Sequence, residues 1–103
     1  MVKHSYVYIL ASQRNGTLYI GVTSDLTRRI HLHRTSASEG FTEKYSVKML
    51  VYFERHECIE LAIKREKAMK KWYRKWKLNL IERDNLEWRD LWLDITGFPP
   101  SRE

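Results

Sequence analysis

Hydrophobic residues recur with two different periods along this chain. Aromatic and β-branched residues are concentrated from Tyr6 to Leu10 and from Thr17 to Val22, on either side of Asn15-Gly16. Strands favour such residues, and Asn-Gly supplies the positive φ angles of tight hairpin turns. The pattern therefore predicts an antiparallel hairpin, and Met49 to Phe53 is predicted as a third strand.

Helical periodicity begins after the hairpin. Ser24 is a suitable N-cap, and Leu26, Ile30 and His33 recur at i, i+4 and i+7, which is typical of one buried helix face. A loop is predicted from Thr35 to Thr42. Three later helical segments are predicted, over Cys58 to Tyr73, Trp76 to Ile81 and Asn85 to Leu93.

These elements and the length of 103 residues predict one domain over residues 1–96, followed by a loose tail over residues 97–103. The predicted fold class is α/β of the α+β type, with a small three-stranded antiparallel sheet flanked by helices.

Charge and cysteine content narrow the class of protein. Nineteen Lys and Arg residues against thirteen Asp and Glu give a net charge of +6, which favours polyanionic partners. The single cysteine, Cys58, cannot form an internal disulfide, so a reducing compartment is expected. The apolar run from Tyr6 to Ala11 is too short for a signal peptide or a membrane span, which predicts a cytoplasmic protein without a membrane partner.

Tyr8 and Tyr19 lie on facing strands of the predicted hairpin, within side-chain reach of each other. A tyrosinate is able to accept the proton of an attacking water if a cation lowers the pKa of the phenol. The alternative interpretation is that both are ordinary strand aromatics.

The first helix contributes two more candidates. Arg29 shares the buried stripe of the helix, whereas Arg28 and His31 point elsewhere. A guanidinium binds two phosphate oxygens and stabilises the charge of the transition state. His33 either orders the phosphate and acts as an acid, or is a hydrogen-bonded core residue.

Glu66 is the only acid between Lys64 and Lys77, and it lies on the inward face with Ala62, Ile63 and Met69. Magnesium binds one or two protein carboxylates together with water and phosphate oxygens, so one glutamate suffices. The alternative is an ion pair with the residue four positions later, Lys70.

The same segment carries eight cations and the aromatic residues Trp72, Tyr73 and Trp76. Such a segment suits a groove that follows a phosphate backbone. The alternative is that these charged residues simply form the solvent-exposed face of a helix. The cations predicted to bind nucleic acid are Lys67, Lys70, Lys71, Arg74 and Lys75.

The order of these residues resembles the GIY-YIG nuclease superfamily, in particular its small single-domain members. Tyr6-Val7-Tyr8 and Tyr19-Ile20-Gly21 match the two motifs, and Arg29 and Glu66 follow at the matching places. The resemblance extends from about Tyr6 to Tyr73. The first motif departs from the family name, which has glycine where this chain has Tyr6.

The resemblance implies an endonuclease that depends on Mg²⁺ (or Mn²⁺) and hydrolyses phosphodiester bonds in nucleic acid, with DNA expected. Tyr8 or Tyr19 would be the general base, Arg29 the phosphate clamp and Glu66 the metal ligand. Gly21 would give a phosphate room to approach, and either Asn79 or Asn85 would close the site.

Two further possibilities stay open at this point. One is a nucleic-acid-binding module of the same fold with weak or no activity. The other is a subunit to which a protein partner supplies specificity.

Overall fold

Three antiparallel strands form the centre of the fold in the computed structural model, which describes residues 4–35 and 47–97. Strand β1 spans Ser5–Ala11, β2 spans Leu18–Thr23 and β3 spans Met49–His56. The order β2-β1-β3 makes β1 the central strand, antiparallel to both neighbours. The predicted three-stranded antiparallel sheet and α+β class are confirmed.

Four helices complete the described part of the chain. Their bounds are Leu26–Arg34 for α1, Ile59–Lys70 for α2, Arg74–Asp84 for α3 and Trp92–Thr96 for α4. Within residues 4–35 and 47–97, none of them is long and apolar enough to cross a membrane. The predicted loop lies mostly outside the described residues, as does nearly all of the predicted tail.

Several predicted helix boundaries were wrong. The helix expected to continue to Tyr73 ends at Lys70, and the next one starts at Arg74, because Tyr73 has an extended backbone with ψ near 149°. Neither glycine nor proline marks this break in the sequence. The final helix begins at Trp92 and not at Asn85, which is the C-cap of α3.

The hairpin turn is wider than a two-residue Asn-Gly turn. Six residues connect Ala11 to Leu18, and the Gly16 amide donates to the Gln13 carbonyl at 2.9 Å. Within this turn only Asn15 has a positive φ, of 59°. Asn15 is therefore the third residue of a four-residue turn, where a left-handed backbone is required.

The N-cap of α1 is Asp25, and the prediction of Ser24 was wrong by one residue. The Asp25 carboxylate accepts a hydrogen bond from the Arg28 amide at 3.2 Å. This contact satisfies one of the free amides of the first turn.

Two apolar layers cover opposite faces of the sheet. Side chains alternate along a strand, so β1 sends Val7 and Ile9 to one face and Tyr8 and Leu10 to the other. Helix α2 packs on the Val7 face, and α1 packs on the Tyr8 face. The first layer also includes Ala11, Ile20, Val51, Ala62, Met69 and Ile81.

Candidate active site

Tyr8 and Tyr19 project from the same face of the sheet. Tyr8 is paired with Gly21, and Tyr19 is paired with Leu10, so the two tyrosines are diagonal neighbours across the β1–β2 ladder. Their ring centroids are 6.3 Å apart. The hairpin thus places the two aromatic rings in contact, as the sequence predicted.

Helix α1 brings Arg29 and His33 to these rings. The His33 Nε2 atom lies 3.0 Å from the Tyr8 hydroxyl oxygen, and the Arg29 Nε group donates to that same oxygen at 3.4 Å. The His33 ring also packs edge-on against the Tyr19 ring, with centroids 5.3 Å apart. Four of the predicted site residues therefore meet in one cluster.

Burial differs sharply within the cluster of Tyr8, Tyr19, Arg29 and His33. Tyr8 and His33 are completely buried, whereas Tyr19 and Arg29 are partly exposed. A buried hydroxyl or imidazole is costly unless it is hydrogen-bonded, and the contact between Tyr8 and His33 provides that compensation. The hydroxyl is also held between a base and a cation, which is the environment that favours transfer of its proton.

Gly21 serves Tyr8 directly. A Cβ atom at position 21 would meet the Tyr8 hydroxyl oxygen and would lie 2.5 Å from the ring atom Cζ. The phenol occupies the space that the glycine leaves, so the expectation that this space admits a phosphate is corrected. The absence of a side chain at Gly21 allows Tyr8 to point at His33 and Arg29. Strand β2 continues for two residues beyond Gly21.

The two adjacent arginines of α1 differ as the helical spacing predicted. Arg28 is exposed, and Arg29 is partly buried next to Ile30. Both line a shallow cavity of about 260 Å³ together with Thr23, Asp25 and Leu32. Arg29 therefore contacts the Tyr8 hydroxyl and also lines this cavity.

Glu66 lies on the other layer of the fold. Glu66 is only 8% exposed on α2, where Ala62 and Met69 are also buried. The prediction that Ile63 shares this inward face was wrong, because Ile63 is 37% exposed. The Glu66 carboxylate pairs with the Lys70 ammonium at 2.6 Å. The alternative interpretation of an i,i+4 ion pair is therefore present in the structure.

A single carboxylate is compatible with a magnesium site in which water and the phosphate oxygens of nucleic acid supply the other ligands. No group of three or more His, Cys, Asp or Glu residues in the described ranges is arranged to hold a metal ion. An all-protein cage is thus not formed by these residues. Glu66 provides one hard oxygen donor, and Mg²⁺ bound in this mode takes its other ligands from water and phosphate.

The cations predicted to bind nucleic acid are all exposed, but two of them already have protein partners. Lys70 pairs with Glu66. The Arg74 Nη2 group donates to the carbonyls of Asn15 and Gly16, at 2.8 Å and 2.6 Å. Lys67, Lys71 and Lys75 project from the surface on either side of the break between α2 and α3.

The two asparagines that competed for a site role are now separated. Asn85 is buried and donates to the carbonyls of Val51 and Arg89, at 3.1 Å and 2.9 Å. It therefore connects α3 to β3 and to the loop before α4. Asn79 is exposed on α3.

A polar cluster around Glu54 was missed from the sequence. The Glu54 carboxylate accepts hydrogen bonds from Tyr52 at 2.6 Å and from Arg65 at 2.9 Å, and it lies 2.7 Å from the His56 ring. Burial raises the pKa of Glu54, but the hydrogen bonds from Arg65, Tyr52 and His56 outweigh it and hold that pKa below its usual value. The signal that could have found it is the spacing of Tyr52, Glu54 and His56 on one face of β3.

Comparison with known proteins agrees with this fold. The model of the GIY-YIG catalytic domain matches residues 4–79, so the chain belongs to the GIY-YIG family, a family of nuclease domains. The matched range contains all five candidate catalytic residues: Tyr8, Tyr19, Arg29, His33 and Glu66.

Similar proteins come from several bacteria. The UPF0213 protein SSP2268 of Staphylococcus saprophyticus is 36% identical over 81 residues, which cover 79% of this chain and 96% of that protein. The UPF0213 protein CPE1444 of Clostridium perfringens is 36% identical over 83 residues, covering 81% and 88% of the two chains. The solution structure of the UPF0213 protein BH0048 from Bacillus halodurans has a TM-score of 0.53 at 26% identity, and covers 95% of this chain and 99% of that chain.

Proposed function

We propose that this protein is a metal-dependent endonuclease that hydrolyses phosphodiester bonds in DNA, with repair or processing as its setting. The observation that carries the proposal is the Tyr8 hydroxyl, which lies 3.0 Å from His33 Nε2 and 3.4 Å from Arg29 Nε. A phenol between an imidazole and a guanidinium is equipped to release and regain a proton. Family membership supports the same chemistry.

Either tyrosine fits the role of general base, for different reasons. The Tyr8 oxygen contacts both the nearby cation and a ring nitrogen of His33 that is able to take up its proton. Tyr19 is partly exposed, so water reaches it without rearrangement. In the first case His33 acts as the proton relay behind Tyr8, and in the second case Tyr8 orients Tyr19 through ring packing.

Arg29 binds the scissile phosphate. Its guanidinium lies at the exposed rim of the cluster, where two of its N–H groups are able to hold two phosphate oxygens. Such a donor acts most strongly on the charge that develops in the transition state.

Glu66 would hold the Mg²⁺ or Mn²⁺ ion, which would neutralise charge on the phosphate and the leaving group. Glu66 and the tyrosines belong to opposite layers, and β2 is an edge strand against which α2 packs. A substrate that crosses the β2 edge would contact both layers. The exposed Lys67, Lys71 and Lys75 would hold its backbone.

The second candidate is a nucleic-acid-binding module with little or no cleavage activity. The observation that favours it is that Tyr8 is completely buried and Glu66 is already paired with Lys70. A catalytic cycle requires Lys70 to release the carboxylate, whereas a binding module does not. A protein partner that supplies specificity is compatible with either candidate.

The two candidates are separated by cleavage assays on supercoiled and branched DNA, with Mg²⁺ or with chelator. The parental protein is expected to cleave only with metal. Tyr8→Phe and Tyr19→Phe each remove one candidate general base. Loss of the true base should slow cleavage about 10²- to 10⁴-fold, so the variant with the larger loss identifies it. Tyr6→Phe, on the same face of β1, is the matched control and should cleave normally. If no substrate is cleaved while DNA binding persists, the binding module is the correct account.

A further inference from the structure

Two large aromatic rings are exposed at the junction between α2 and α3. Tyr73 is 72% exposed and Trp76 is 51% exposed, and their ring centroids are 5.1 Å apart at an interplanar angle of 83°. Two adjacent exposed aromatic rings are unfavourable in water and commonly mark a place where a partner binds. The catalytic cluster does not use these rings.

The rings are held in place from below. Trp76 packs edge-on against Trp72, with centroids 6.2 Å apart, and Trp72 packs against the apolar core. The Arg65 guanidinium lies 5.1 Å from the centre of the Trp72 ring and is itself bonded to Glu54. A platform that is already fixed loses little conformational freedom when a ligand binds it.

The charge around the rings indicates which ligand suits them. From Lys67 to Ile81 the sequence has six Lys and Arg residues and no Asp or Glu. Lys71 and Lys75 are exposed next to the two rings. Flat apolar faces inside a positive field match a strand of nucleic acid whose bases are unpaired, because such bases stack while their phosphates meet the cations.

Arg74 connects this platform to the catalytic hairpin. Its guanidinium donates to the carbonyls of Asn15 and Gly16, in the turn that leads into β2 and Tyr19. The platform and the hairpin therefore have a fixed relative position. A strand that is stacked on the platform has a defined path towards the β2 edge.

We propose that Tyr73 and Trp76 form a stacking platform for unpaired bases, so that the preferred substrate is nucleic acid with a single-stranded segment. This proposal rests on the proposed function for its role in cleavage, but the binding itself does not need an active site. Duplex bases are already stacked on each other and do not offer their faces to the platform.

The test is binding of fluorescent oligonucleotides in chelator, so that cleavage does not contribute. Parental protein, Tyr73→Ala and Trp76→Ala are titrated with a single strand and with a blunt duplex of the same length. Each alanine variant should lose about fivefold to 150-fold in affinity for the single strand for each base that no longer stacks. Duplex binding should change little. Tyr73→Phe and Trp76→Phe keep a ring and should restore binding, and Leu86→Ala removes a comparably exposed apolar side chain elsewhere.

The outcomes distinguish three accounts. Equal affinity of parent and Trp76→Ala for the single strand would overturn the platform, as would equal losses on single strand and duplex. Sedimentation at the same concentrations adds a further outcome: a parental dimer that Trp76→Ala converts to monomer, without loss of affinity, would make the patch an interface between copies. A protein that binds single strands through the rings but cleaves nothing would contradict only the proposed nuclease.

Discussion

The two faces of the sheet bury polar groups in different ways. On the α2 face, Glu66 pairs with Lys70, and Glu54 pairs with Arg65, so each carboxylate meets a cation from its own layer. On the α1 face, a phenol, an imidazole and a guanidinium meet around one hydroxyl oxygen. An ion pair offsets the cost of removing its carboxylate from water. The second grouping has the composition of a proton-transfer and phosphate-binding site. Under the proposed function, the residues of the α1 face carry the chemistry, the polar pairs of the α2 face carry stability, and Glu66 contributes to both.

Arg29 provides the first test of this comparison. Arg29→Ala should reduce the cleavage rate about 10²- to 10³-fold, the cost of removing one preorganised donor from a transition state. Arg28→Ala is the matched control one position earlier, and it should chiefly weaken DNA binding. Circular dichroism checks that both variants are folded. Small and equal effects on the rate would contradict the assignment of Arg29 to the site.

Gly21→Ala tests the packing of the α1 face. The new methyl group would collide with the Tyr8 hydroxyl, so it should displace that oxygen from His33 and Arg29. Overpacking of this kind costs about 1–3 kcal/mol of unfolding free energy, measured by denaturant titration, and cleavage should be abolished at the same time.

Gly16→Ala is the control for that experiment. Its methyl group would meet Ser12 in the hairpin turn, so any loss there should affect stability and leave the chemistry of the α1 face intact. Normal cleavage by Gly21→Ala would mean that the position of the Tyr8 oxygen does not matter.

Glu54→Gln tests whether the α2 face is a stability element. The pKa of Glu54 is lowered in the folded state, so the stabilisation is present above the unfolded value of about 4.5 and is lost as pH falls through the folded value. The parental free energy of unfolding should therefore fall below about pH 5 more steeply than that of Glu54→Gln. At neutral pH the variant should be about 1–3 kcal/mol less stable, because it no longer has hydrogen bonds to a charged group.

Glu87→Gln removes an exposed carboxylate outside this cluster and is the control. Cleavage per folded molecule should persist in Glu54→Gln at neutral pH. Parallel stability curves for parent and Glu54→Gln would contradict the account of this cluster.

The smallest effect concerns the exposed lysines. Changing Lys67, Lys71 and Lys75 to Gln should flatten the slope of log K against log salt by about 0.9 for each duplex phosphate that the protein no longer neutralises. Arg74 is left unchanged because it binds the hairpin carbonyls. The control changes three exposed arginines elsewhere, Arg14, Arg55 and Arg83, and so removes the same net charge. Equal salt slopes for the two triple variants would mean that DNA binding depends on the net charge of the protein and not on the position of these lysines.

Local patterns were sufficient to predict the sheet and the cluster on its α1 face. Alternation along β1 and β2 predicted that Tyr8 and Tyr19 lie within reach of each other. The spacing of Leu26, Ile30 and His33 predicted that Arg29 lies on the inward stripe of α1. These are short-range relations, in which backbone geometry alone fixes where side chains point. The resemblance to the GIY-YIG superfamily added the roles, and family membership is confirmed.

The features that escaped prediction depend on interactions between distant segments. The break at Tyr73 carries no glycine or proline, and Trp72 packs into a core that the other elements create. The bonds from Arg74 to Asn15 and Gly16 join residues that are 59 and 58 positions apart. The sequence predicted that the space beside Gly21 admits a phosphate. The Tyr8 hydroxyl occupies that space, and only the register of the hairpin brings it there.

The central claim is that Glu66 serves the chemistry of the opposite face in addition to its ion pair. The most direct measurement is cleavage by Glu66→Gln in Mg²⁺, with DNA binding measured on the same preparation. Glu66→Gln keeps the shape of the side chain, so it should abolish metal-dependent cleavage while leaving DNA binding nearly intact. Lys70→Gln removes the other partner of the pair and should retain cleavage, because the carboxylate remains. Cleavage by Glu66→Gln at the parental rate would contradict the account and leave the ion pair as the whole role of Glu66.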